Sequence, residues 1–213
     1  MARVRPTDID LVKKLTGFGK AYFSVADLEK ILALKRDSLY VTLNRLVKSG
    51  VLIRLRKNSY SFFTQTLDYE KIANELYFPS YVSFELALSH YSILSQIPYT
   101  KTLATTRPTK KMEVSGVMIE YSHLPQNLFF GYILKNGKYI AEPEKALLDQ
   151  LYMVSRGKRT LHIEELDLKS INKEKLMEYA ERFPVYTKPL MKEVRKYLGT
   201  TPITIEGEQR VVW

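Results

Sequence analysis

Leu39, Leu43, Leu46 and Val47 recur at intervals of four, three and one residues. At about 100° per residue this spacing lines one stripe of an α-helix and no single face of a strand. The stripe predicts a helix capped by Asp37 or Ser38, running to about 49 and stopped by Gly50. Burying those four side chains turns the opposite side outward. That side collects Asp37, Ser38, Val41, Asn44, Arg45 and Lys48, with Arg36 and Tyr40 beside it. Such a surface is hydrogen-bonding and cationic. An Asn matches the paired donor and acceptor of adenine, an Arg those of guanine, and a small apolar side chain the methyl of thymine.

The residues around this helix extend the pattern. Upstream, Ile9, Leu11, Val12 and Leu15 make a short amphipathic helix closed by Gly17 and Gly19. Ser24 and Asp27 have capping-box spacing before a second helix that buries Val25, Leu28, Ile31 and Leu32. Downstream, 51–56 and 59–63 are two β-rich runs around a Lys57-Asn58 turn, a hairpin with Arg54 and Arg56 on one face. Three helices followed by a basic hairpin read as a winged helix-turn-helix over 1–65. Arg54, Arg56, Lys57, Asn58 and Tyr60 are the wing residues expected to reach phosphates or a minor groove. The expected partner is double-stranded DNA. An adaptor whose winged domain binds protein is the alternative for the same pattern.

Charge favours the DNA reading. Residues 1–65 hold 13 Lys and Arg against five Asp and Glu, so they carry +8 of the net +10 of the 213-residue chain. Displacing counterions from phosphates is the main source of non-specific duplex affinity. The 148 residues that follow are nearly neutral and read as an α+β body over 66–213: a small sheet flanked by helices. Helices are expected at 67–78, at 84–94 behind Ser83, from Pro143, and at 173–182 and 188–198. Strands are expected at 101–106, 112–123, 128–133 and 138–141, the last after the Asn136-Gly137 hairpin signal. Three basic clusters offer a second surface: Arg107, Lys110 and Lys111; Arg156, Lys158 and Arg159; and Lys192, Arg195 and Lys196. Any one of them alone reads as solvated surface.

No catalytic constellation emerges, so no enzyme activity, metal or cofactor is expected. His90, His123 and His162 are scattered, and His90 reads as a packed or capping residue. Glu142, Glu144, Lys145 and Asp149 lack nuclease spacing, and the acids read as complements to a helix dipole. The absence of cysteine rules out disulfides and thiolate metal sites and fits a reducing cytoplasm. Neither a signal peptide nor a membrane span is expected.

Beyond the local patterns, the chain resembles a known family over about 7–200. The winged module joined to YVSFELALSHYSIL, LATTRPTKKMEVSGVMIEYSHL, LFFGY and IAEPEKALLDQLY is similar to the AbiEi antitoxins. These are the regulator half of type IV AbiE toxin–antitoxin systems of phage abortive infection. EPEKALLD, opening a helix after a strand, is the most specific piece. Where such relatives place glycine in the wing turn, this chain has Asn58, which tolerates positive φ. The resemblance implies repression of the chain's own operon through inverted repeats in its promoter. It also implies that the larger domain neutralises a nucleotidyltransferase-like toxin without a stable complex. A monomer in solution that pairs on DNA is consistent with both implications.

Overall fold

The computed structural model describes residues 6–62 and 67–198. Phe63 of the expected second wing strand, the linker at 64–66 and the tail ending at Trp213 lie outside them. The described chain is mixed α+β, with eight α-helices and two sheets. It divides into two compact units, one within Met1–Phe78 and Lys111–Ile119, the other within Pro79–Lys110 and Glu120–Trp213. The expected division at 65 followed charge and motif; by contact, α4 (Tyr69–Leu76) belongs with the first unit.

In the first unit α1 (Pro6–Thr16), β1 (Phe23–Ser24), α2 (Val25–Leu32), α3 (Arg36–Lys48), β2 (Leu52–Arg56) and β3 (Ser59–Phe62) follow in chain order. The three strands form an antiparallel sheet in the order β1-β3-β2. Ser24 caps α2: Asp27 N donates to Ser24 Oγ at 3.1 Å, and Ser24 N donates to Asp27 Oδ2 at 2.9 Å. This is the capping box read from the sequence. Leu15, Leu28, Leu39, Leu43 and Leu46 are fully buried with Phe23, Val25, Leu52 and Tyr60, and Leu11, Ile31, Leu32 and Val47 pack against them. Helices α1, α2 and α3 thus turn their apolar stripes onto one core.

The other sheet has six strands, and the stretch Lys111–Ile119 within it falls by contact in the first unit. Its strands, β4 (Ser80–Val82), β5 (Lys101–Thr105), β6 (Lys110–Val114), β7 (Val117–His123), β8 (Tyr132–Lys135) and β9 (Lys138–Ala141), lie in the order β6-β7-β5-β4-β9-β8. The strand expected over 112–123 is a hairpin, turned at Ser115 and Gly116, both at positive φ. The stretch expected at 128–133 is extended only from Tyr132. Asn136 and Gly137 turn the β8–β9 hairpin at φ of 51° and 75°, as their left-handed tolerance allows. Helices α5 (Phe84–His90), α6 (Pro143–Ser155), α7 (Lys173–Ala180) and α8 (Lys188–Tyr197) complete the second unit.

The centre of this unit is charged. Glu144 through Met153 are buried on every side of α6, wider than the stripe of Ala146, Leu147, Leu151 and Val154 the sequence suggests. Lys145 and Asp149, one turn apart and fully buried, form an ion pair. Asp149 also accepts from Tyr81 Oη at 2.9 Å and Ser83 Oγ at 2.8 Å, and Lys145 Nζ lies 5.1 Å from the ring centres of Phe130 and Phe183. Burial pushes the Asp149 carboxyl up and the Lys145 ammonium down, each opposed by its partner's charge. The nearby acids act beyond the helix dipole: Glu142 accepts from Lys175 Nζ and Tyr179 Oη, both at 2.6 Å, and Glu144 from Asn172 N at 2.8 Å. They fasten α6 to α7.

Removing one member of a buried pair strands the other's charge. Asp149→Ala is expected to destabilise the protein by about 3–5 kcal/mol, while Lys145→Met with Asp149→Leu loses less. Urea unfolding checks this ordering, and a double variant as unstable as Asp149→Ala contradicts it.

Candidate nucleic-acid interface

Helix α3 starts at Arg36, with Lys35 at the N-cap position and no side-chain cap. The expected caps, Asp37 and Ser38, instead sit in the first turn, where Asp37 complements the dipole. At the other end Gly50 N donates to Val47 O (3.1 Å) and Val51 N to Leu46 O (2.9 Å). With Gly50 at φ 73°, these bonds form a Schellman stop that delivers the chain into β2.

Arg36, Asp37, Ser38, Val41, Asn44 and Lys48 are exposed on α3, on the side opposite the buried leucines. Val41 is 69% exposed. Tyr40 is half-buried against the core instead of standing on that face. Arg45 is a larger correction. Its guanidinium is held in a two-point ion pair by Asp8 of α1, Nη1 to Oδ2 at 2.6 Å and Nη2 to Oδ1 at 2.7 Å. Asp8 is 2% exposed, and its hydrogen bond raises the Arg45 pKa above the ordinary arginine value. The pair occupies two of the five N–H donors of Arg45 and fixes the plane of its guanidinium.

The hairpin divides similarly. Arg54, Lys57 and Asn58 are exposed, and Asn58 takes φ 61° to make the turn. Its carbonyl accepts from Val25 N at 3.1 Å, tying the turn to the start of α2. One expected wing contact is withdrawn. Tyr60 is 4% exposed and belongs to the core, opposite Phe23 in the sheet register. Arg56 is half-buried, its Nη1 3.8 Å from Met112 Sδ. A register shift between Arg54 and Arg56 separates two arginines that simple alternation puts on one face.

The remaining basic clusters are uneven. Arg107, Lys110, Lys111, Lys158, Lys192 and Lys196 are exposed. Arg156 is exposed but folds back, with Nη1 3.0 Å from Tyr152 Oη. Arg195 Nη2 lies 2.9 Å from Met177 Sδ. Arg159 is not a surface cation: it pairs with Glu85 and Glu120 and lies 4.4 Å from the Phe84 ring centre. Of the histidines, His90 and His162 are exposed, and His123 Nδ1 is 3.1 Å from Arg107 O. Of the packed or capping roles expected for His90, the packed one does not hold, since it is exposed in the last turn of α5. Among the described residues no group of three or more His, Asp or Glu is placed to hold a metal ion, and no helix is long and apolar enough to cross a membrane. No protein-family model and no curated protein matches the sequence.

The Asp8–Arg45 pair is the feature sequence reasoning missed, since its partners stand 37 residues apart. Asp8→Ala, Arg45→Ala and the double variant form a cycle in which the coupling is expected to be about 1–3 kcal/mol in favour of the pair. Urea unfolding of the three variants measures it, and additive single effects contradict the pairing.

Proposed function

We propose that the chain is a non-catalytic, DNA-binding repressor of its own toxin–antitoxin operon, with an N-terminal winged helix-turn-helix as its duplex-gripping part. The observation that carries this reading is the arrangement of α3. Its leucine stripe is buried, its outward side is polar and cationic, and a hairpin with exposed Arg54 and Lys57 follows directly. In this reading α3 enters a major groove, with Ser38, Val41 and Asn44 toward base edges and Arg36, Lys48, Arg54 and Lys57 toward phosphates. Two copies bind an inverted repeat because each half-site offers the same groove geometry a helical turn or more away. The α+β body supplies antitoxin activity against a nucleotidyltransferase-like toxin, and the protein works in the cytoplasm. Operon, toxin and abortive infection come from the resemblance to AbiEi antitoxins; the charge and shape of the first unit support the duplex part independently.

Titrating salt against duplex affinity tests the reading. Log affinity is expected to fall linearly with log salt, and Lys57→Ala to weaken binding to all sequences while reducing the slope by about one. Asn44→Ala is expected to remove about 1–3 kcal/mol of discrimination between the operator and unrelated duplex. No measurable duplex binding at low salt contradicts the proposal. Full-length Asn44→Ala co-expressed with the cognate toxin is expected to rescue growth as the unaltered protein does; growth arrest contradicts the division of labour.

A further inference from the structure

We infer that the middle of α3 takes the methyl group of a thymine, with Asn44 on a neighbouring adenine, so that the half-site carries A·T pairs at this point. The inference deepens the duplex-binding reading and rests on it. Val41, Asn44, Arg45 and Lys48 line one open notch on the helix surface. The four positions span i, i+3, i+4 and i+7, a single helical face. Arg45 donates one hydrogen bond from each terminal nitrogen to Asp8, which holds its guanidinium in place at the side of the notch. The rest of the notch is an apolar side chain, an amide and, at the far end, an ammonium.

Val41 itself needs an explanation. A β-branched residue is a poor choice for a solvated helix position, yet this one is more exposed than Ile9 (52%), Phe18 (53%), Phe78 (62%) or Met118 (42%), the other exposed large apolar residues described in this unit. Along the major groove floor the thymine methyl is the one apolar group a base pair presents, and adenine offers the N6 donor and N7 acceptor that an Asn side chain matches. Val41 and Asn44 are separated by about 4.5 Å along the helix axis, close to the ~3.4 Å rise of one base step. Side chains three residues apart therefore suit adjacent pairs. Lys48, about 10 Å beyond Val41 along the axis, suits the phosphate backbone.

The test uses the full chain and a randomised duplex pool, from which bound duplexes are selected and resynthesised with deoxyuridine in place of thymidine, one position at a time. Deoxyuridine differs only by the missing methyl. One position in each half-site is expected to lose affinity by about threefold to fivefold, the worth of one buried methyl group. In Val41→Ser, an exposed substitution whose folding circular dichroism checks, that position is expected to become indifferent to the methyl, while other positions keep their preferences. Equal affinity for thymidine and deoxyuridine everywhere overturns the methyl assignment and leaves duplex binding standing. Undiminished methyl sensitivity in Val41→Ser also overturns it. A pool that yields no bound duplex defeats the inference and the duplex-binding reading together.

Discussion

Complete burial of Leu39, Leu43 and Leu46 fixes the orientation of α3, and the rest of the first unit is arranged around that constraint. Each such side chain is worth about 1.5–3 kcal/mol in leaving water. Rolling the helix by even one residue's angle would lift part of the stripe out of the core, so the outward face is set as firmly as the inward one. The Asp8–Arg45 pair adds a second lock by joining α1 to the flank of α3. The Gly50 stop then determines where β2 begins. The polar face is therefore held in place by the buried leucines, by Asp8 of α1 and by the Gly50 stop.

The second unit solves a different problem. A fully buried ammonium and carboxylate are expensive to desolvate, and an apolar pair of similar size often serves stability as well. Here Tyr81, Ser83 and Lys145 fill the hydrogen-bonding capacity of Asp149, fastening β4 and the residue before α5 to α6 at one point. Glu142 and Glu144 extend the same helix's attachments to Lys175, Tyr179 and Asn172. Arg159 joins Glu85 and Glu120 in the same manner. Part of the charge in this unit is internal fastening, and Arg159 is the member of the basic clusters that it takes from the surface.

Local rules were legible from the sequence, and non-local ones were not. Ser24 with Asp27, the leucine spacing in α3, and Asn136-Gly137 each act within a few residues, and each appears where expected. Strand β4 gave no signal: three residues, all buried in the middle of a sheet, show no alternation to read. Tyr60 was misplaced for a related reason. β3 is the central strand of its sheet, and Ser59, Tyr60 and Ser61 are all buried, so its pattern has no solvent phase. Arg45 has the expected position on the helix, and its pairing was not legible because Asp8 comes from another helix. The exposed set, Arg36, Asp37, Ser38, Val41, Asn44, Lys48, Arg54, Lys57 and Asn58, is the part of the candidate interface that local pattern alone could identify.

The central claim is that this outward side of α3 meets a double helix. Following backbone amide resonances of the full chain while adding a selected duplex tests it most directly. The account predicts shifts at Ser38, Val41, Asn44 and Lys48, with Lys57 of the hairpin moving alongside them. Shifts confined to 79–198, with those five amides unmoved at saturation, would contradict it.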